Sequence, residues 1–349
     1  MTEQTERPVK KRRKGKGKTS VTLDDVAAHA GVSRSTASLV VRDSKLIPKQ
    51  THKRVRASMQ ALGYVYNQSA ANLRTQKTRT LGMVIADISN PFYAVLASGI
   101  ENECGDKKFM TIFADTAESV EQESRIISRL IEHNVAGAFL CPSGENSAKN
   151  LEALEKAGIP VVLIMRYLED ISASYVGPDN HLGLRMLVDH LAGKGHRDIA
   201  YIGGPPRKSS SRERYEGFLS AMKRNDLEVK DSNLRASAIS RAAAMSEALE
   251  LLQREDRPSA IICYNDVMAF GVMLAMLKCG LTPGKEVAVV GFDNIPESSL
   301  WTPSLTTVSI DAQNIGRLAA AELLARISDP DRQRQRIIVQ PTLIARESS

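Results

Sequence analysis

Only four cysteines occur in this 349-residue chain, Cys104, Cys141, Cys263 and Cys279, and no CxxC pair or neighbouring histidine cluster accompanies them. Their scatter argues against a disulfide framework or a zinc site, so neither metal nor cofactor is expected, and reduced thiols fit a cytoplasmic protein. Aromatics are sparse at 5%, with one tryptophan. No apolar run approaches the roughly 20 residues that cross a bilayer, and the basic start KKRRKGKGK lacks the apolar stretch that follows in a secretory signal. Also missing are a Walker A loop, a GxGxxG after a strand, an HExxH and a GxSxG. The histidines His29, His52, His133, His181, His190 and His196 have no nucleophile at a spacing that marks a catalytic pair. Asp266 and Asp293 have the residue type for glycoside chemistry, yet strand-end aspartates that bind hydroxyls explain them as well. An enzyme is therefore not expected.

What is present is a strong asymmetry of charge. Residues 1–80 carry 18 Lys and Arg against 5 Asp and Glu, whereas the remaining 269 carry 29 against 35. A basic excess confined to one end fits a small domain that sits on phosphates, joined to a larger one that does not.

Within that basic end, TLDDVAAHAGVSRSTASLVVRD has the layout of two short helices around a tight turn. Thr22 can cap the first, with Leu23, Val26 and Ala27 on one face, and Gly31 stands where the chain must turn with positive φ. Ser33 can cap the second, Arg34 to Arg42, with Ala37, Val40 and Val41 facing inward and Arg34, Ser35, Ser38 and Leu39 outward. This is a helix-turn-helix, whose second helix enters the major groove while the first crosses the backbone. An ordinary helical hairpin uses the same caps and spacing, and the local charge favours the DNA-binding alternative. After a third helix comes NQSAANLRTQKT, residues 67–78, in which Leu73 is the only large apolar side chain. Such a segment cannot form a core. It is either a plain linker or a helix that orders on DNA and drives Leu73 between base pairs from the minor groove.

Beyond Thr80 strands and helices alternate. LGMVIA reads as a buried strand, and FMTIFA, GAFL and IPVVLIM continue the alternation with helices from Pro91, from Ser119 and near Ala148. A second series runs from Val176 through DIAYIG, SAIIC and EVAVVG, with helices His181 to Leu191, Ser211 to Lys223, Arg241 to Gln253 and Asp266 to Lys278. Alternation of this kind predicts parallel sheets covered on both faces, and two series predict two lobes with a ligand cleft beyond the carboxyl ends of their strands.

These motifs together resemble the lactose-repressor/galactose-repressor (LacI/GalR) family of transcription regulators. TLDDVAAHAGVSRSTAS is similar to the family headpiece and AANLRT to its hinge helix, while IADISNPFY, VGPDN, GHRDIAYIGG, ERYEGF, CYNDVMAFG, VVGFDN and PSLTTV resemble effector-domain landmarks. The resemblance covers roughly residues 20–346. It implies a small all-α helix-turn-helix headpiece plus an α/β effector core of two doubly wound parallel-sheet lobes, resembling a periplasmic sugar-binding protein and joined by three crossovers. The expected partition is a disordered basic tail at 1–20, the headpiece at 21–66, a hinge helix or linker at 67–79, and a two-lobed effector-binding and dimerisation domain at 80–349.

Carried over residue by residue, the resemblance makes Arg34, Ser35 and Leu39 the readers of base edges. Thr22, Ser33, Thr36 and Ser38 suit phosphate or capping roles, and Leu73 is the wedge. In the cleft, Arg214, Asn265 and Asp293 match effector contacts whose donors and acceptors suit vicinal hydroxyls. Phe92 and Tyr93 would form an apolar wall, and Arg166, Lys208 and Ser210 would line the same opening. Departures from the family pattern occur at Arg42, where Asn is usual, at Pro48, where a capping Ser or Thr is common, and at Met165, where a hydroxyl-binding Asp is frequent. Arg166 and Lys208 add positive charge, which points toward an acidic or phosphorylated sugar and leaves a purine-like effector open.

The implied function is a sequence-specific transcriptional repressor whose operator affinity is controlled by a small carbohydrate-like effector. A homodimer on a pseudo-palindromic operator is expected, and no membrane partner. Trp301 matches a dimer-interface position but fits a lone core residue equally. The sequence ends at ARESS without apolar heptads, which favours a dimer over a tetramer. Readings in other classes are a sugar sensor without operator specificity and a sugar- or phosphate-processing enzyme.

Overall fold

A computed structural model describes residues 21–65, 78–204 and 206–349, and the chain divides between Lys77 and Thr78 into two compact units. The basic tail and the wedge expected at Leu73 lie outside the described residues.

In the first unit, helix α1 (Leu23–Ala30) opens with a complete capping box between Thr22 and Asp25 and closes at Gly31, φ 61°. Helix α2 (Arg34–Val41) is capped by Ser33, whose Oγ accepts from the Thr36 amide at 3.1 Å. Helix α3 (Lys49–Leu62) starts after Pro48, which supplies no side-chain cap. Val26, Ala27, Ala30, Ala37, Val40 and Val55 are buried between the three helices. Each fully buried valine contributes about 1.5–3 kcal/mol, so a handful of small side chains suffices to orient α2. Val41 is half-buried rather than part of this centre.

The second unit contains a six-stranded parallel sheet made of β1 (Thr80–Ile85), β2 (Met110–Asp115), β3 (Gly137–Leu140), β4 (Val161–Ile164), β5 (Ser174–Pro178) and β11 (Arg336–Val339), in the order β11-β5-β4-β3-β1-β2. The period-2 alternation of strands separates its faces. Met83, Phe139 and Val162 pack with helices α4 (Pro91–Asp106) and α11 (Ala312–Ser328), while Val84, Ala138 and Val161 pack with α5 (Val120–Glu132) and α6 (Ser147–Lys156). Helices α4 and α11 cross very closely: a Cβ at Gly99 would lie 2.0 Å from the Gln313 carbonyl oxygen, and one at Gly316 would lie 2.2 Å from that of Leu96.

A second parallel sheet, in the order β7-β6-β8-β9, comprises β6 (Ile199–Gly203), β7 (Leu234–Ala236), β8 (Ala260–Cys263) and β9 (Ala288–Val290). Its helices are α7 (Asn180–Gly193), α8 (Ser209–Arg224), α9 (Arg241–Leu252) and α10 (Asp266–Lys278). Helix α8 starts two residues before the expected Ser211. An antiparallel pair, β10 (Thr307–Ser309) with β12 (Thr342–Ile344), packs on α7 in this lobe. The chain thus passes between the lobes after β5, again between β10 and α11, and a third time between β11 and β12, which is the expected set of three crossovers. Three parallel connections restrict relative motion of the lobes to a hinge. Its last residues are sewn into the second lobe, where Ser348 Oγ donates to the Val289 carbonyl at 2.6 Å and accepts from the Thr306 amide at 2.9 Å.

Candidate DNA-reading face and effector cleft

Packing of Ala37 and Val40 fixes which side of α2 meets solvent. Arg34 and Ser35 are exposed, and Ser38 and Leu39 are half-exposed one turn on. Arg34 Nε lies 3.2 Å from Asp24 Oδ1, with both side chains about two-thirds exposed. Such a pair is worth well under 1 kcal/mol and yields easily to a stronger partner. Thr22, Ser33 and Thr36 use their hydroxyls in capping: Thr22 donates to and accepts from Asp25, and Ser33 shares a 2.9 Å hydrogen bond with Thr36. Ser38 accepts from Arg42 at 3.2 Å.

The expected cleft residues converge between the two lobes. Phe92, Tyr93, Arg166, Ser210, Arg214, Asn265 and Asp293 all border one cleft. Lys208 does not. It lines an adjoining opening of about 320 Å³ with Tyr167, Glu169 and Arg212 and touches the cleft only through Glu118. The cleft itself has only about 40 Å³ free. Sites for small molecules usually offer at least about 300 Å³, so the lobes must part to admit one.

Strand ends and helix starts position these groups. Asn90 caps α4 by accepting from the Phe92 amide at 3.0 Å, and this turn presents Phe92 and Tyr93, whose rings meet edge to face at 5.4 Å. Asn265, at the end of β8, caps α10 through its Oδ1, leaving the amide nitrogen as its remaining donor. Arg214 is 2% exposed and lies between Phe292 and Tyr264, 3.8 and 4.4 Å from the ring centres. Its Nε donates to Asn180 Oδ1 at 2.9 Å, Nη1 to the Tyr264 carbonyl at 2.5 Å and Nη2 to Asp293 Oδ1 at 3.3 Å. A guanidinium held on three sides is pre-aimed, and ordering it costs a ligand little.

Several cleft-facing residues were not singled out as ligand contacts by the sequence reading, Asp87, Tyr264 and Glu118 among them. Glu118 is the most consequential. It follows β2, and its Oε1 and Oε2 accept from Arg166 at 2.8 Å each, while Lys208 from the other lobe donates to Oε2. Burial pushes its carboxyl up, but Arg166 and Lys208 outweigh that and hold it below its ordinary range. The positive charge expected from Arg166 and Lys208 is therefore already met within the protein. Glu118, Met165 and Asp293 all have left-handed backbone, with φ of 62°, 63° and 110°. Such conformations cost about 1–3 kcal/mol each and tend to gather at binding sites.

Asp293 and Asp266 add a pH dependence. Burial raises Asp293 to about 6, with Arg214 opposing. Burial and then the neighbouring Asp293 charge raise Asp266 to about 7, against donors from Thr307, Ser298 and the Ile295 amide. Folded values above the unfolded value of about 4 mean that the stabilisation is complete at acid pH and is lost as pH rises through about 6 and 7. Asp293→Asn carries no such penalty. Relative to wild type it should therefore gain about 1 kcal/mol between pH 5 and pH 8, as measured by urea unfolding at both values. A difference independent of pH would mean that Asp293 stays ionised throughout.

A helical reading head coupled in one chain to a hinged, polar-lined interlobe cleft defines a ligand-responsive DNA-binding regulator. Residues 22–67 match the model of bacterial regulatory proteins of the lacI family, and residues 188–349 that of the periplasmic binding protein-like domain. The ribose operon repressor of Escherichia coli K12 is 31% identical over 329 residues, covering 94% of this chain and 99% of the relative. A lac repressor dimer bound to operator and the anti-inducer ONPF superposes with a TM-score of 0.83 at 25% identity, over 95% of this chain and 99% of that one. A LacI family regulator from Enterococcus faecium with bound ribose gives 0.70 at 25% identity, over 77% and 98%. The chain belongs to the LacI family, and it is a DNA-binding transcriptional regulator controlled by a small-molecule effector. Among the described residues, no helix is long and apolar enough to cross a membrane.

Proposed function

We propose that this protein is a cytoplasmic, homodimeric, non-enzymatic repressor that binds a pseudo-palindromic operator and changes its affinity for it when a small carbohydrate-like effector occupies the interlobe cleft. The observation that carries this reading is the convergence of Phe92, Asn265, Arg214 and Asp293 on one cleft. An apolar wall, an amide, a guanidinium fork and a carboxylate form the donor and acceptor set of a ring with vicinal hydroxyls. The ribose in the Enterococcus faecium relative and the operator in the lac repressor complex support the same assignment. The effector acts only through a difference in affinity between DNA-bound and free forms, which opening and closing of the lobes supplies. Selection of bound genomic fragments, followed by titration of sugars against the selected operator, tests the whole reading. No preference for any palindrome over random DNA at matched salt would favour a sugar sensor, and turnover of a bound sugar would favour an enzyme.

On DNA, we assign Arg34, Ser35 and Leu39 to the base edges, since α2 turns them outward together. Arg34→Ala should weaken operator binding by about 1–3 kcal/mol and relax preference at one base pair per half-site. Unchanged base preference in a binding-site selection would remove Arg34 from the reading set. Leu73→Ala should lower specific affinity and reduce the bend of the operator, with effector affinity unchanged. A bend equal to wild type in a permutation assay would defeat the wedge assignment.

A further inference from the structure

The cations around the cleft do not offer a landing place for an anion. Arg166 is 6% exposed and donates through both terminal nitrogens to Glu118, with Nη1 also 3.2 Å from the Pro142 carbonyl. Lys208 crosses from the second lobe onto the same carboxylate. Arg214 is met by Asp293. Asp87 adds a further acid to the border. Each of these three cations thus has an acidic partner. A carboxylate or phosphate entering it would have to displace Glu118 from two cations, one of them buried, and would meet like charge from Asp87.

We propose that Glu118 sets the charge class of the effector: by occupying Arg166 and Lys208 it converts a cationic cleft into a balanced one that takes an uncharged polyol and rejects the corresponding acid or phosphate ester. This rests on the reading of the cleft as a carbohydrate site. It also gives a reason for the left-handed backbone at Ala117 and Glu118, with φ of 47° and 62°. The turn brings a single carboxylate between cations supplied by different lobes. Glu118 acts through electrostatic matching and needs no contact with the ligand. Two unit charges a few ångströms apart in a partly buried site interact strongly enough that removing the carboxylate should alter anion affinity at least about tenfold.

The test uses calorimetry on the full chain with three probes: D-ribose, D-ribose 5-phosphate and inorganic phosphate. Wild type should bind ribose at least about tenfold more tightly than its phosphate ester and show no saturable binding of inorganic phosphate. Glu118→Gln frees both cations, so it should gain saturable phosphate binding and narrow or reverse the preference for ribose. Because that variant leaves a buried guanidinium unpaired, its folding is checked by thermal melting. The double variant Glu118→Gln/Arg166→Gln removes the orphaned charge, leaves Lys208 free, and should still gain phosphate affinity, by a smaller factor. Phosphate binding by wild type equal to that of Glu118→Gln, or no gain in either variant, would overturn the proposal. If neither ribose nor its ester binds while the phosphate results follow expectation, the role of Glu118 stands and ribose is excluded as the effector; extending the panel to neutral hexoses and their phosphates then decides the carbohydrate reading separately.

Discussion

Arg214→Ala should abolish the response of operator binding to the effector and lower effector affinity at least about 100-fold. Truncating one member of a buried, hydrogen-bonded charge pair costs about 2–5 kcal/mol in such settings. Here the loss would strip a partner from Asn180, from the Tyr264 carbonyl and from Asp293, and empty the space between Phe292 and Tyr264. The core should also unfold more easily, by about 3–5 kcal/mol, because Asp293 would remain buried without its cation. DNA binding in the absence of ligand should persist, since the headpiece has its own buried centre. Asp293→Asn keeps the volume and loses only the charged acceptor, so a smaller loss of effector affinity is expected from it. Calorimetry beside DNA binding separates the outcomes: wild-type effector affinity in Arg214→Ala would remove this residue from the site, and loss of ligand-free DNA binding would assign it a structural role.

The other large effect belongs to the crossing of α4 and α11. Gly99→Val would drive a branched side chain into the Gln313 carbonyl, where even a Cβ would come within 2.0 Å. The obstacle is backbone and cannot rotate away, so the helices must separate and α11 lifts from the sheet. A loss of about 3 kcal/mol or more is expected, at or beyond the upper end for overpacked cores. Urea unfolding measures it, and near-wild-type stability would mean that α11 can slide along α4 without loss.

Much of this was legible in advance, for identifiable reasons. Thr22, Gly31 and Ser33 mark the headpiece because caps and left-handed turns restrict residue choice locally. Arg214, Asn265 and Asp293 were legible through the resemblance to the family's effector contacts, and their position after strands or on a helix following one agrees with where doubly wound sheets collect ligands. Glu118 was not legible as a site residue. Its turn has left-handed backbone at Ala117 and Glu118 with no glycine to announce it, and its partners stand 48 and 90 positions away. The same distance hid the charge pairing, so Arg166 and Lys208 read as surplus cations. Periodicity was equally silent on the edge position of β2, whose Met110 and Phe113 are 59% and 41% exposed.

Ser348 closing against Val289, together with β11 at the edge of the first sheet, has a consequence for how the protein is made. The headpiece needs nothing beyond Val65 to build its buried centre. Neither lobe is complete until residues 336–348 have left the ribosome, because β11 finishes one sheet and the final residues finish the other lobe. During synthesis the headpiece can therefore fold while the core is still unfinished. A nascent chain held just before Arg336 would carry a folded reading head but no finished cleft, and its encounter with DNA would be beyond the reach of any effector.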